Sequence, residues 1–250
     1  SDVGINILKD GGNAVDAAIA VGFALAVVHP GAGNIGGGGF MVIRLADGTK
    51  TTIDFRETAP QKASRDMFLD ENGDIIEGKS WSTSWASGVP GSVAGFGLAH
   101  EEFGTLKWSQ LIDSSIQLAR DGYSLNYNDA NSFNRYNDFL TKDSVTRTIF
   151  VRDEEFKTGD ILVQRNLAST LERISRAGWE EFYTGKTADL IQKCMERTDG
   201  LISKNDLKNY IAVQRDPITF SYRDHIVYSM PPASSGGIAL AGILNQLENI

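Results

Sequence analysis

The chain has 250 residues, of which 41% are hydrophobic and 22% charged, a composition typical of a globular protein with a packed core. Its formal net charge of −8 repels phosphate backbones and anionic lipid heads, so we expect no nucleic-acid partner and no role on a membrane surface. Cys194 is the only cysteine, which excludes an internal disulfide and a thiolate-based metal cage.

Two helices are predicted at the start of the chain. The first ends at Gly11-Gly12, and Asn13 caps the second, which runs from Ala14 to Val28. Asp16 is the only charged residue of this second helix, so we expect the helix to be buried on nearly every face. Its apolar stretch, Ala17 to Val28, is shorter than the roughly 20 residues that cross a bilayer, and we therefore expect no membrane span in this segment.

A β-hairpin is predicted next. Its strands are Phe40 to Leu45 and Thr51 to Arg56, and Asp47-Gly48 forms the tight turn between them. Alternation along the second strand places Ile53 and Phe55 on the core side. The opposite face, which carries Arg56, is then predicted to leave the core.

The remaining elements are a mixture of predicted helices and strands. Residues 126–148 are rich in Asn, Asp, Ser and Thr, and we expect them to be irregular or marginally helical. This mixture, without regular strand–helix alternation, predicts an α+β fold in a single domain covering residues 1–250. The predicted helices are Leu106 to Arg120, Asn166 to Ala177, Thr187 to Glu196 and a short one capped by Ser203 with Asp206; the predicted strands are Ile218 to Tyr222 and His225 to Tyr228.

The last segment predicts a helix that faces a core. Its apolar positions begin at Ile238 and recur through Leu247, and the pattern continues to Ile250 without a cap, a glycine or a polar tail. A natural terminus seldom lies inside such a helix, so we expect that more protein follows in the intact molecule and that the chain is shortened at both ends.

Two short motifs are set aside because their context is wrong. Gly31 to Gly36 fits the dinucleotide pattern G-x-G-x-x-G, but a helix precedes it and a hairpin follows, so we interpret it as a closely packed glycine turn. Asp70 to Asp74 begins like a calcium loop. Ile75 then stands where the loop glycine belongs and Trp81 where the bidentate glutamate belongs, which favours an exposed Asn-Gly turn.

Other candidates for chemistry are equally weak. The three histidines have no paired-ligand spacing, so we expect no metal, and with the dinucleotide motif set aside we also expect no cofactor. Ser92 lacks the G-x-S-x-G spacing of a serine hydrolase, and Cys194 lies in a helical stretch where a lone cysteine usually serves packing. Ser1 leads into a helix rather than a strand, which argues against a terminal serine nucleophile.

Arg56 is the candidate binding residue. A guanidinium held on a rigid strand can recognise a substrate carboxylate through two parallel hydrogen bonds. It can also simply pair with Asp54, two positions earlier on the same strand face. The residues alone leave these two interpretations open.

Three stretches, taken together, resemble the gamma-glutamyltransferase family: Gly11 to Ala18, Gly33 to Arg44 and Ile53 to Pro60. The similarity continues through residues 86–95, 118–122 and 228–237, in the order of the family's sequences, and so extends along essentially the whole chain. It is much more specific than any single short motif.

The resemblance implies part of the large subunit of an N-terminal-nucleophile hydrolase. Such enzymes have αββα layers and are made as one precursor that cuts itself into two subunits. In this family the arginine of the segment Asp54-Phe55-Arg56-Glu57 holds the α-carboxylate of glutathione or another gamma-glutamyl substrate. The catalytic threonine begins the small subunit, so we expect no catalytic residue in this chain, an inactive fragment, and a fold that is incomplete without its partner. The family also implies a periplasmic or extracellular location.

Two kinds of alternative stay open at this point. Within the same fold, a capsule poly-gamma-glutamate depolymerase or a cephalosporin acylase would act on other acyl groups. From a different class, a non-catalytic relative would capture gamma-glutamyl compounds through Arg56 without turnover.

Overall fold

Residues 1–248 are described by the computed structural model, and they fall into two units. The first contains Ser1–Asn34 and Phe103–Gly178, and the second contains Ile35–Glu102 and the described residues from Trp179 onward. Every paired strand in these residues is antiparallel, and helices are interspersed among them, which confirms the α+β class. That the chain forms a single domain stays a prediction.

The described residues form thirteen α-helices and seven strands. In chain order the helices are α1 (Asp2–Lys9), α2 (Ala14–Val28), α3 (Lys79–Ser82), α4 (Ser92–Phe103), α5 (Trp108–Asp121), α6 (Tyr127–Arg135), α7 (Asn137–Leu140), α8 (Ser144–Phe150), α9 (Arg165–Ala177), α10 (Glu181–Thr184), α11 (Lys186–Arg197), α12 (Lys204–Lys208) and α13 (Gly236–Leu247). The strands are β1 (Phe40–Arg44), β2 (Lys50–Asp54), β3 (Tyr123–Ser124), β4 (Ile161–Leu162), β5 (Val213–Arg215), β6 (Ile218–Tyr222) and β7 (His225–Ser229). None of these helices is both long enough and apolar enough to cross a bilayer.

The core of the first unit is helical. Helix α2 packs between α1 and α5, and α5 also packs against α9. Phe23 is fully buried and meets the Trp108 ring edge-on at 5.5 Å, while the Trp108 indole N–H donates to the Ile174 carbonyl at 3.0 Å. Eight of the fifteen residues of α2 are buried and three, Ala14, Ala18 and Leu25, are exposed, so the helix is buried on all but one narrow face, close to the prediction of burial on nearly every face.

Asp16 joins two distant segments of the first unit. Its carboxylate accepts the Asn13 N–H at 2.9 Å, which closes the capping box at the start of α2. It also accepts the N–H and hydroxyl of Thr105 and the N–H of Leu106, about ninety positions along the chain. The side chain is fully buried, so these bonds replace all of its hydration.

Replacing Asp16 with asparagine should therefore destabilise the fold by about 2 to 3 kcal/mol, because an amide has one acceptor oxygen for several donors and directs N–H groups toward N–H groups. Urea unfolding measures the loss. The exposed Asp113, changed to asparagine, is the matched control and should leave the unfolding midpoint unchanged. Equal stabilities of the Asp16→Asn protein and the wild type would contradict this role.

The contribution of Asp16 should also depend on pH. Burial raises the pKa of Asp16, but hydrogen bonds from Thr105, Asn13 and Leu106 outweigh burial and hold the pKa below its ordinary value. The unfolded chain therefore binds this proton at a higher pH than the folded chain does. The stability difference between wild type and Asp16→Asn should be complete above about pH 4 and shrink as the pH falls below that value.

The second unit contains the predicted hairpin in a larger sheet. β1 pairs with β2 in the register Phe40↔Asp54 to Arg44↔Lys50, and β5 pairs with the other edge of β2. β2 is thus a central strand, with Ile53 fully buried as predicted. The prediction that its second face leaves the core was wrong, because Thr52 and Asp54 are buried as well.

Two further segments agree with the sequence-based expectations only in part. The segment expected to be irregular or marginally helical holds three short helices, α6, α7 and α8, and the first and last are capped by the side chains of Asn126 and Asp143. Helix α13 forms where predicted, but Ile238 and Ile243 are each 57% exposed, so they face no core formed by the described residues. Asn249 and Ile250, the end of that pattern, lie outside the described residues.

Candidate functional site

Arg56 lies two residues beyond the end of β2, where the residues before it are buried and its own side chain is exposed. Phe55, immediately before it, is only 5% exposed and packs edge-on against Phe96 at 5.8 Å between ring centroids. The sequence placed Arg56 within the strand; the structure ends the strand at Asp54, so the arginine follows the ladder instead of belonging to it.

The carboxylate of Asp54 is engaged elsewhere than with the Arg56 guanidinium. One oxygen accepts from the guanidinium of Arg215 on β5, with Nε and Nη2 each at 3.2 Å. The other accepts the backbone N–H of Arg56 at 3.2 Å. Within residues 1–248, no carboxylate forms an ion pair with the Arg56 guanidinium. The alternative that Arg56 pairs with Asp54 was therefore wrong, and the Arg56 side chain is exposed.

The backbone on both sides of Arg56 is held by pairing. Phe55 and Gly39 exchange N–H···O bonds of 3.0 and 3.3 Å, which extends the β1–β2 ladder by one residue pair. Thr58 and Val89 exchange a second pair of bonds, at 3.3 and 2.8 Å. Arg56 thus stands between two anchored points only three residues apart.

A tyrosine hydroxyl completes this arrangement. Tyr210 donates its phenolic O–H to the Arg56 carbonyl at 2.9 Å. Burial, together with the nearby carboxylates of Asp54 and Glu57, raises the pKa of the Tyr210 phenol, so the hydroxyl keeps its proton and stays a donor. The peptide groups on both sides of the Arg56 Cα are therefore bound by side chains.

Glycine is required where this backbone meets the start of α4. A Cβ at Gly91 would lie 2.0 Å from the Phe55 carbonyl oxygen and 2.1 Å from the Tyr210 hydroxyl oxygen. Both distances are too short for non-bonded atoms, and the shorter contact is to a backbone oxygen, which cannot move without shifting the chain. The close approach lets the Gly91 N–H donate to the Gly37 carbonyl at 2.8 Å, which fixes the glycine-rich segment next to Phe55.

The motifs set aside on sequence grounds have structural roles. Residues 31–36 follow α2 and precede β1, which confirms that the dinucleotide context is missing. Asp70 caps its own turn by accepting the N–H groups of Asn72 and Asp74, each at 2.9 Å, in the predicted exposed turn. Ser92 is buried at the start of α4, and Cys194 is half-buried on α11. No group of three or more His, Cys, Asp or Glu in the described part of the chain is placed to hold a metal ion.

The residues around Arg56 present one exposed guanidinium. A guanidinium with a fixed backbone and no protein carboxylate paired to it can bind a planar carboxylate in two parallel hydrogen bonds. Sequence reasoning found Arg56 itself but missed the two side chains that hold its peptide groups. Tyr210 is distant in sequence and has no local pattern, while Asp54 was considered only as an ion-pair partner.

The chain is similar to known proteins along its whole length. The family model described as gamma-glutamyltranspeptidase matches residues 1–250. The glutathione hydrolase proenzyme of Escherichia coli (strain K12) is 51% identical over 251 residues, a match that covers 100% of this chain and 43% of the proenzyme. The crystal structure of Helicobacter pylori gamma-glutamyltranspeptidase superposes with a TM-score of 0.97 at 46% identity, covering 100% of this chain and 72% of that one.

Two solved structures of other enzymes share the fold at lower identity. The transpeptidase CapD of Bacillus anthracis aligns with a TM-score of 0.79 at 32% identity, over 97% of this chain and 76% of CapD. A cephalosporin acylase from Bacillus halodurans aligns with a TM-score of 0.79 at 25% identity, over 92% of this chain and 44% of the acylase. These likenesses confirm the predicted N-terminal-nucleophile hydrolase type of fold, and the chain spans less than half the length of the curated proenzyme it matches. The chain belongs to the gamma-glutamyltranspeptidase family.

Proposed function

We propose that the complete protein transfers gamma-glutamyl groups from glutathione and related donors to water or to amino acids, and that this chain contributes Arg56 as the anchor of the donor's α-carboxylate. The observation that carries the proposal is the exposed Arg56 guanidinium on a clamped backbone, with the neighbouring Asp54 committed to Arg215. The identities of 51% and 46% to a glutathione hydrolase and a gamma-glutamyltranspeptidase support the donor class.

The chemistry follows from what the anchor does to the substrate. Binding of the α-carboxylate holds the gamma-carbonyl, which is remote from it, at a fixed distance from Arg56. A threonine hydroxyl from the small subunit of the same precursor attacks that carbonyl, and the leaving amine takes up the proton that the terminal amine of the threonine removed. Water or an amino acid then attacks the gamma-glutamyl ester and restores the hydroxyl. Neither half-reaction needs a metal or a redox cofactor.

The partner in this scheme is the remainder of the precursor. The name proenzyme, given to the Escherichia coli relative, supports synthesis as a precursor that is later processed. We propose that self-cleavage produces the small subunit and that this chain alone turns over no substrate. We further propose an extracytoplasmic location, by analogy with the family; fractionation of the native cells tests this, and activity confined to the cytoplasm would contradict it.

The test of the proposed function is a donor panel on the intact natural gene product. The enzyme should turn over both a chromogenic gamma-glutamyl anilide and glutathione, and an amino acid acceptor should increase the release of the chromogenic aniline. The purified protein should run as two polypeptides. A fully cleaved protein that acts only on poly-gamma-glutamate or on a cephalosporin would instead favour the acylase and depolymerase alternatives. An uncleaved protein that binds gamma-glutamyl compounds without turnover would favour the non-catalytic alternative.

A further inference from the structure

We propose that Tyr210 and Asp54 are positioning residues that aim the Arg56 guanidinium by binding the peptide groups on its two sides; the proposal rests on the function of Arg56 proposed above. Asp54 accepts the Arg56 N–H, and Tyr210 donates to the Arg56 carbonyl. The Tyr210 hydroxyl binds the Arg56 carbonyl, and the Asp54 carboxylate binds the Arg56 N–H and the Arg215 guanidinium. We therefore assign neither group a direct contact with a ligand.

Tyr210 is itself held rigidly. Its ring stacks on Tyr183 with centroids 5.7 Å apart and planes 12° from parallel. The Tyr183 hydroxyl, in turn, donates to the Pro90 carbonyl at 3.0 Å and accepts the Ala94 N–H at 3.1 Å, so it is fixed to the turn that begins α4. Both tyrosines are less than a tenth exposed. The Tyr210 hydroxyl consequently has a defined position from which to bind the Arg56 carbonyl.

Asp54 is held by the neighbouring strand β5. It is 9% exposed, and the charge of its carboxylate is balanced by Arg215 from β5. Arg215 stands opposite Thr52 in the β2–β5 ladder, and its carbonyl accepts the Thr52 hydroxyl at 3.0 Å. The ion pair therefore links the position of the Arg56 N–H to the sheet through two neighbouring strands.

The need for such support follows from the length of the arginine side chain. Small rotations of the peptide groups at Cα are amplified at the guanidinium, several bonds away. Two parallel hydrogen bonds to a carboxylate tolerate little misalignment, and misplacements of about 1 Å can cost about 100-fold in rate. A side chain that pins one of these peptide groups should thus affect substrate binding without touching the substrate.

The first test is Tyr210→Phe in the intact, processed enzyme. This change keeps the buried ring and its stacking on Tyr183 and removes only the hydroxyl. We expect KM for the gamma-glutamyl anilide to rise about 3- to 10-fold, the effect of losing one hydrogen bond, with kcat changed less than about twofold. Tyr123→Phe is the matched control, because the Tyr123 hydroxyl is buried without a hydrogen-bond partner among the described residues. It should leave both constants unchanged.

A double-mutant cycle with Arg56→Ala separates positioning from general structural support. If Tyr210 acts through Arg56, the Tyr210→Phe effect disappears once Arg56 is alanine. The same loss of kcat/KM in both backgrounds, or an unchanged KM in the single variant, would overturn the proposal. If Arg56→Ala alone has no effect, the anchor itself is refuted, so the two failures are distinguishable. Asp54→Asn keeps an oxygen that can accept the Arg56 N–H but removes the negative charge that faces Arg215. In a second cycle with Arg56→Ala, its effect on kcat/KM should likewise disappear once Arg56 is alanine.

Discussion

Replacing Arg56 with alanine should lower kcat/KM for a gamma-glutamyl anilide by about 10² to 10⁴-fold, the cost of losing a charge-assisted bidentate contact. KM should rise strongly, because the lost contact binds a part of the substrate that does not change during the reaction. The folded structure should survive, since the guanidinium is exposed and makes no ion pair within the described residues. Steady-state kinetics of the intact enzyme and its melting temperature measure the two effects.

Two control variants sharpen this result. Arg56→Lys keeps the positive charge but not the planar fork, so it should recover only part of the lost kcat/KM. Arg65→Ala removes an arginine whose side chain is 96% exposed, and its kinetics should match the wild type. An Arg56→Ala enzyme with unchanged kinetics would refute the assignment of Arg56 as the carboxylate anchor.

The second large effect is expected for Gly91→Ala. Its new methyl group would overlap the Phe55 carbonyl and the Tyr210 hydroxyl, so either the backbone before Arg56 or the tyrosine must move. Overpacking of this kind costs about 1 to 3 kcal/mol and more when backbone must shift, and we expect a loss of about 3 kcal/mol in unfolding free energy. Activity in the remaining folded protein should fall as well.

Chemical denaturation and anilide kinetics, run on the same preparation, test this prediction. Gly31→Ala is the control, because a Cβ at Gly31 meets open space and its backbone conformation suits alanine. A Gly91→Ala protein as stable and active as the Gly31→Ala protein would show that the contact around Phe55 and Tyr210 relaxes without cost.

Local patterns predicted the local elements of this fold well. Asn13 predicted the start of α2, and the structure shows its side chain capping that helix by accepting the N–H groups of Val15 and Asp16. Asp47-Gly48 between two apolar runs likewise predicted the β1–β2 hairpin. In both cases the residues that decide the structure are close together in sequence, so periodicity and turn chemistry were sufficient.

Elements that depend on distant partners were not predictable in the same way. β5 has three exposed residues and becomes a strand only by pairing with β2, about 160 positions earlier in the chain. Helix α4 was missed because Gly95 weakens a helical pattern. The structure requires glycine there, since a Cβ would lie 2.2 Å from the Phe55 ring.

The candidate site was likewise predictable only where neighbouring residues determine it. The strand and its arginine were visible in the sequence, but the partner of Asp54 was not, because Arg215 arrives from β5. The role of Arg56 itself stays a prediction that geometry supports and kinetics must test.

The most direct test compares two substrates in two enzymes. A gamma-glutamyl anilide and a gamma-aminobutyryl anilide differ only in the α-carboxylate, and each is assayed with the intact wild-type enzyme and with Arg56→Ala. We predict that the wild type prefers the gamma-glutamyl substrate by about 10²-fold or more in kcat/KM, and that this preference falls to nearly equal rates in the variant. A preference that survives the loss of Arg56 would contradict the claim that this arginine binds the α-carboxylate.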